Sequence, residues 1–319
     1  MPLNTTVVPA TDATERAALA QRLRQLKRVF PINSLKRETM GAQDVVDYYE
    51  HCHDAYRKYH SAEGAVHMAL NDGDRFDADG FYGQLRRIER QWQSPPKDVL
   101  ELAFGQGFNL AYLAQRHPDV RFQGIDLTPA HLRIAQVRMQ AQALSNVQLQ
   151  LGDFHHLPFA DASFDALFCI EAFCYATDLP RALSEAARVL RPGGSFTLFD
   201  GYLTRPALAM DANGALAVEL VARGMAMDSL QVQGELISAA QQAGFEASEL
   251  HPLDDAVMPS LRKLERTTSA VIRWPWLGRF ALARRHAMRG RNVLAGCLMR
   301  GTVALGLIGY RHIVLKKVA

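Results

Sequence analysis

Apolar residues along this chain fall into two kinds of stretch, and the two alternate. Val99, Leu100, Leu102 and Ala103 form a short apolar run, the mark of a strand buried on both faces. Leu110, Tyr112, Leu113 and Ala114 follow at helical spacing. That helix stops at His117-Pro118, since proline disfavours the α region in the residue before it. Val120, Phe122 and Ile125 make a second strand, with Asp126 at its carboxyl end. Thr128-Pro129 reads as a helix start, Thr as N-cap and Pro in the first turn, and the helix runs to about position 143. The alternation continues with strands over 146–151 and 165–170, a helix over 178–190 and a strand over 195–199. A helix over 227–243 and strands over 246–250 and 311–318 complete it. These elements predict an α/β protein built on a doubly wound, seven-stranded sheet.

The remainder is helical in pattern. Residues 1–13 read as a polar tail, and 15–29 as a helix with Leu19, Leu23 and Leu26 on one face. Residues 43–70 are rich in tyrosine and histidine. A helix is expected over 74–93, with Phe81, Leu85, Ile88 and Trp92 on one side, before the break at Ser94-Pro95-Pro96. Residues 252–309, with Trp274, Trp276 and many arginines, are too long for a hairpin loop and predict a helical insertion before the last strand. The expected division is an N-terminal helical arm and cap over 1–94 and a nucleotide-binding core over 95–251. A helical lid over 252–309 and the last core strand over 310–319 follow.

Composition narrows the class. The chain has 319 residues, 48% hydrophobic and 22% charged, the balance of a globular enzyme. A formal net charge of +3 is too mild to argue for nucleic acid. Cys52, Cys169, Cys174 and Cys297 form no CxxC pair, so neither zinc nor a disulfide framework is indicated, which fits a reducing cytoplasm. His51 and His53 are two apart and face different sides of a helix, so no metal is expected. The N-terminus lacks a basic-then-apolar signal pattern. The apolar stretch 293–309 is interrupted by Arg300 and carries four glycines, short of a membrane span. Peripheral membrane association and homo-oligomerisation are left open.

The chemistry is concentrated around Gly105 and Gly107, which let the backbone take positive φ and a ligand approach closely. An acidic residue ending the second strand, Asp126, can accept hydrogen bonds from ribose hydroxyls. A dinucleotide site wants GxGxxG to meet a pyrophosphate, but the third glycine position here is Leu110. Glu101 stands four residues before the first glycine and suits a cationic ligand better. The run Glu101-Leu102-Ala103-Phe104-Gly105-Gln106-Gly107 resembles the acidic, glycine-x-glycine-x-glycine pattern of S-adenosylmethionine-dependent methyltransferases, with Ala103 in place of the first glycine. "LPF", "SFD" and "ARVLRPGGSF" further on are similar to class I small-molecule methyltransferases. The resemblance implies a Rossmann-like class I fold and S-adenosylmethionine as cofactor. The cofactor-binding set it implies is Glu101, Ala103, Gly105, Gly107, Asn109, Asp126, Leu127, Asp153, Phe154, Ile170 and Glu171. Within it, Asp153 takes the adenine amino group and Phe154 covers the ring.

Ile170-Glu171-Ala172-Phe173-Cys174-Tyr175-Ala176 resembles the glutamate-alanine-threonine-cysteine-histidine-alanine signature of sterol C-methyltransferases, with Phe173 for threonine and Tyr175 for histidine. Upstream, Tyr48-Tyr49, Tyr59, Gly64 and His67-Met68 are similar to a tyrosine-rich segment of sterol and tocopherol methyltransferases, without their tryptophan-glycine dipeptide. The group implies C-methylation of an alkene in an isoprenoid or sterol-like, lipophilic small molecule. Glu171, Tyr49, Tyr59, His67 and Tyr175 are the expected catalytic residues, the carboxylate and aromatic faces steadying a carbocation. Should the substrate be a diphosphate, Arg262, Lys263 and Arg266 stand as candidates to meet it. An O- or N-methyltransferase of a quinol or phenol, with His60, His67 or His155 as base, is the alternative; a non-catalytic scaffold on the same fold is another. No Asn/Asp-Pro-Pro-aromatic tetrad follows the fourth strand, which sets nucleic acid aside as a partner.

Overall fold

The computed structural model describes residues 11–92, 94–274, 276 and 287–318. Four helices precede the sheet: α1 (Thr11–Val29), α2 (Ile32–Leu35), α3 (Ala42–Ala55) and α4 (Gly83–Gln91). Then come β1 (Asp98–Leu102), α5 (Phe108–Arg116), β2 (Arg121–Asp126), α6 (Pro129–Ala141), β3 (Val147–Leu151), β4 (Phe164–Ile170) and α7 (Leu179–Val189). β5 (Leu190–Leu203), α8 (Ala212–Gly224), α9 (Gln233–Gln242), β6 (Phe245–Pro252), α10 (Asp254–Ile272), α11 (Ala287–Ala304) and β7 (Ile308–Lys317) complete the chain.

The seven strands lie in the order β3-β2-β1-β4-β5-β7-β6. β7 is antiparallel to both neighbours and the other pairings are parallel. Both faces of the sheet are covered. Val99, Ala166, Phe168 and Phe199 pack under α5, α8, α10 and the N-terminal helices, while Leu100, Leu167, Leu198 and Phe196 pack under α7 and α9. The strand order reverses between β1 and β4, so a crevice opens beyond the carboxyl ends of these two strands, where open α/β sheets bind ligands.

The N-terminal helices and the pair before β7 form one layer over this end. Arg300 of α11, the charge that interrupts the apolar stretch, explains how the layer is tied together. It binds Glu15 of α1 through both carboxylate oxygens at 2.9 and 2.8 Å, and Glu265 of α10 at 2.7 Å.

Several expected boundaries shift. The helix expected over 74–93 begins only at Gly83, because Asp77 accepts from the Asp79 amide and starts a separate 3₁₀ turn, Ala78–Tyr82. Gln93 and residues 1–10 lie outside the described residues, and α1 begins at Thr11 within the expected tail. The helix expected over 227–243 is Gln233–Gln242, and α8 before it was not anticipated. Asp211 caps α8 by accepting from the Gly214 amide at 2.8 Å. β5 is much longer than 195–199 because β7 pairs with it as far as Leu203. Thr128 does stand at the α6 N-cap, but its side chain makes no capping bond.

Candidate active site

β1 delivers the chain to the crevice with Ala103 at φ 60°, a left-handed conformation that is costly for a residue with a Cβ. Gly105, at φ 54°, then donates its amide to Asp126 Oδ2 at 2.8 Å. Asp126 Oδ1 accepts the Thr128 amide at 2.8 Å, so the acid that ends β2 ties the turn after β1 to the start of α6. β4 ends in Glu171, again left-handed at φ 51°. Two strained residues thus stand at the ends of the adjacent strands β1 and β4, the usual place for such strain in a functional site.

Ala103, Gly105, Asp126, Leu127, Asp153, Phe154, Ile170 and Glu171 line the crevice, together with Tyr49 and Tyr175. Met40, Gly41, Ala42 and Val45 close it from the N-terminal arm. Its carboxylates are Asp126, Asp153, Glu171 and Asp228, the last paired with Arg223, and among the described residues no Lys or Arg lines it. A pyrophosphate would find no cation here, whereas a ligand with an ammonium and a sulfonium meets an acidic wall. The donor chemistry of this lining therefore fits S-adenosylmethionine.

Three residues expected at the cofactor do not line the crevice. Glu101 is buried behind the turn, where its Oε1 accepts from Asn109 Nδ2 at 2.7 Å and its Oε2 has no partner. Burial pushes its pKa up to about 8 against the Asn109 bond, and nearby Asp126 adds to the rise. Asn109 Oδ1 lies 3.0 Å from His67 Nε2. Gly107 contacts protein instead: a Cβ there would come within 2.8 Å of Ala135 and Met139 of α6.

His67 is likewise withdrawn from the crevice. It is buried between Asn109 Oδ1 and the Met68 carbonyl at 3.1 Å, and burial lowers its pKa. Met68 continues the path, donating its amide to Glu171 Oε1 at 2.7 Å. Glu101, Asn109, His67, Met68 and Glu171 are thus linked by consecutive bonds. Tyr310 of β7 donates to the same Glu171 Oε1 at 2.7 Å, and Gln84 Nε2 bonds both Tyr310 Oη at 3.2 Å and the Met68 carbonyl at 2.7 Å. Burial pushes the Glu171 pKa up to about 8, the Tyr310 and Met68 donors oppose the rise, and Asp200 adds to it.

Glu171 also faces a second cavity of ≈ 40 Å³. Its wall is apolar, with Val221, Met225, Leu261 and Met299 among it, and its polar groups are Glu171, Tyr310 and Asp200. Asp200 accepts the Cys174 amide at 2.9 Å and the Gly201 amide at 2.8 Å, and burial pushes its pKa up to about 6.

The aromatic pair Tyr49 and Tyr175 is brought together, hydroxyls 3.4 Å apart and ring centroids at 6.1 Å, with Tyr175 donating to the Met225 carbonyl at 2.9 Å. The Tyr59 side chain lies outside the described residues. The histidines considered as bases are engaged. His60 Nε2 lies 2.8 Å from the His67 carbonyl and burial pushes its pKa down to about 4. His155 Nδ1 lies 2.6 Å from Asp153 Oδ1 while its Nε2 accepts the Asp178 amide at 3.3 Å. Arg262 pairs with Asp74, Lys263 donates to the His60 carbonyl, and neither these two nor Arg266 lines crevice or cavity. Tyr310, Gln84, Asp200 and His131 escaped the sequence reading. Tyr310 lies in β7, within the segment 310–319 expected as the last core strand, but no role was expected of it.

A protein-family model described as a methyltransferase domain matches residues 99–194. The 24-methylenesterol C-methyltransferase 2 of Oryza sativa subsp. japonica is 32% identical over 168 residues, covering 52% of this chain and 46% of that protein. The chain thus spans less than half the length of this curated relative. The structure of the cyclopropane synthase MmaA2 from Mycobacterium tuberculosis matches with a TM-score of 0.71 at 14% identity, over 88% of this chain and 100% of that one. A geranyl diphosphate C-methyltransferase from Streptomyces coelicolor A3(2), solved with Mg2+, geranyl diphosphate and S-adenosyl-L-homocysteine, matches with a TM-score of 0.59 at 15% identity, over 85% and 98%. At such identities these two structures speak to the fold alone. Among the described residues no helix is long and apolar enough to cross a membrane.

Proposed function

We propose, on the premise that this chain carries a class I S-adenosylmethionine-dependent methyltransferase domain, that it methylates an alkene carbon of an isoprenoid or sterol-like molecule through a carbocation. One observation carries the reading: Glu171 lines both the acidic crevice and the apolar cavity behind it. When bound, S-adenosylmethionine supplies an electrophilic methyl group on a sulfonium. The work left to the protein is alignment and charge.

Ala103 and Gly105 let the donor approach the backbone, Asp126 accepts from its ribose, and Asp153 and Phe154 hold and cover its adenine. Glu101, protonated in the free chain and with one oxygen unpartnered among the described residues, gives up its proton when the donor's cationic end arrives. Attack by an alkene leaves positive charge on the substrate, and a carboxylate beside an apolar cavity stabilises it without solvent to compete. Glu171 fills that role, then takes the proton whose loss restores a double bond. Tyr49 and Tyr175 offer ring faces worth about 0.5–2 kcal/mol each toward a cation. The cavity of ≈ 40 Å³ is too small for a whole isoprenoid, so the layer formed by α1, α3, α10 and α11 shifts to admit one. The bases named for the O- or N-methyl alternative, His60, His67 and His155, are each already hydrogen-bonded.

The test is incubation with methyl-labelled S-adenosylmethionine and a panel of prenyl diphosphates, sterols and quinols, followed by mass spectrometry of the products. Label on an alkene carbon is expected. Label confined to oxygen or nitrogen overturns the reading.

A further inference from the structure

His131 sits in the first turn of α6 and lines the acidic crevice, yet its ring is buried, with 3% of the residue exposed. Its Nδ1 lies 3.2 and 3.3 Å from the two oxygens of Asp126. A carboxylate can only accept, so Nδ1 carries the hydrogen, and in the neutral imidazole Nε2 is then a bare acceptor. Nε2 has no hydrogen-bond partner among the described residues. Buried polar atoms are almost always partnered, and one that is not calls for a ligand or water to complete it.

Two further contacts fix the ring in this role. Asp126 is itself held by the amides of Gly105 and Thr128, both at 2.8 Å, so it holds the imidazole tautomer without freedom to turn away. Tyr49 packs on the imidazole with ring centroids 5.1 Å apart, which keeps the ring plane in place from the N-terminal arm. The result is a rigid acceptor beside the carboxylate that ends β2.

We propose that His131 is a donor-binding residue whose Nε2 accepts a hydrogen bond from one ribose hydroxyl of the methyl donor. This rests on the reading of the crevice given above. An acceptor requires a donor on the ligand, and the uncharged donors on an adenosyl group are its two ribose hydroxyls and its adenine amine. The amine falls to Asp153 at the end of β3, which leaves the hydroxyls for the pair at the end of β2. His131 and Asp126 then read the sugar together, one through a neutral nitrogen and the other through a carboxylate.

The experiment is calorimetric titration of S-adenosylhomocysteine, and of its 2′-deoxy and 3′-deoxy analogues, into the wild-type chain and His131→Phe. Phenylalanine keeps the ring against Tyr49 and removes the nitrogen. We expect about a tenfold loss of affinity for S-adenosylhomocysteine in the variant, the step produced by about 1.4 kcal/mol. That loss should vanish for one of the two deoxy analogues, because the variant and the analogue remove the same bond. Affinity within twofold of wild type, or an equal loss with both analogues, overturns the proposal while leaving the methyl-donor reading intact. Failure of the wild-type chain to take up S-adenosylhomocysteine at all overturns the methyl-donor reading and this proposal with it. Should His131→Phe not fold, His131→Leu is titrated in its place: a loss that vanishes with one deoxy analogue is the supporting result, and unchanged affinity or an equal loss with both analogues the overturning one.

Discussion

Tyr310 and Glu171 lie 139 positions apart in the chain and share a hydrogen bond of 2.7 Å, the phenol donating to carboxylate Oε1. The Met68 amide donates to the same oxygen at 2.7 Å, so both bonds fall on one side of the group and Oε2 stays outside them. Such a geometry orients a carboxylate while leaving one oxygen for other work. Substitution Tyr310→Phe removes a hydrogen bond to a charged group, worth about 1.5–3 kcal/mol. If that bond acts in the transition state, kcat falls about 10- to 100-fold while affinity for S-adenosylhomocysteine changes less than twofold, since Tyr310 does not line the donor crevice. Steady-state kinetics beside calorimetry separates the two effects. Equal losses in both would make Tyr310 a packing residue only.

The same pair sets a pH dependence. Burial raises the Glu171 pKa to about 8, and Tyr310 and Met68 limit the rise. Stabilising a carbocation requires the ionised form, and kcat/KM reports ionisations of the free enzyme. We therefore expect kcat/KM to climb with unit slope as pH rises toward about 8 and then level off. Tyr310→Phe deletes a cause that lowers the pKa and should move this limb to higher pH; Glu171→Gln should abolish it along with most turnover. A profile that is flat between pH of about 6 and 9 would remove Glu171 from the mechanism.

These relationships mark where the sequence could and could not be read. The stretch from Asp98 to Asp126 was legible because its signals are local: an apolar run, Gly105, a helical period and a proline stop. Asp153, Phe154, Ile170 and Glu171 could be placed because each follows a strand whose end must reach the same edge of the sheet. Asn109 was expected at the cofactor and His67 in catalysis, but in the fold each meets the other at 3.0 Å. Nothing in a linear pattern announces that two polar residues 42 positions apart will consume one another's hydrogen-bonding capacity. Tyr310 and Gln84 were invisible for the same reason, their separation being 226 positions. Helix α8 was missed because Ala217, Val218, Leu220, Val221 and Ala222 are all buried, so its sequence is nearly continuous in apolar residues and lacks a clean stripe.

Glu101 ties the site to stability. Its folded pKa, about 8, lies above the ordinary 4.5, so the folded chain keeps a proton that the unfolded chain loses. Stability is then highest below pH 4.5 as far as this group is concerned, and declines as pH rises toward about 8. Glu101→Gln removes that cost and retains an acceptor for Asn109. The ligand-free variant should melt about 2–4 °C above wild type at pH 8, the shift that about 1 kcal/mol produces, and the gap should close toward pH 5. Its affinity for S-adenosylhomocysteine should fall about tenfold, since the negative charge beneath the ligand's ammonium is gone. Scanning calorimetry across this pH range checks the first part, and an unchanged gap would show that Glu101 is ionised in the free protein.

Gly107 separates a packing role from a binding one. It sits at φ 71° as the residue before α5, where a Cβ would come within 2.8 Å of both Ala135 and Met139 on α6. A left-handed conformation costs about 1–2 kcal/mol for a residue other than glycine. The Ala135 contact adds to this, because that atom belongs to a short side chain with no rotamer to retreat into. Gly107→Ala should therefore lower stability by at least about 1–2 kcal/mol. Once saturated at a temperature where it is folded, it should bind S-adenosylhomocysteine within about threefold of wild type, as Gly107 does not reach the crevice. Gly105→Ala carries the same left-handed cost, at φ 54°, but Gly105 lines the crevice, and among the described residues a Cβ there meets Val66 alone, at 3.0 Å. Its affinity should suffer more than its melting temperature. Measuring both quantities for both variants gives four numbers whose pattern must cross over. If Gly107→Ala instead loses ligand at undiminished stability, the turn approaches the donor at both glycines and the crevice extends beneath α5.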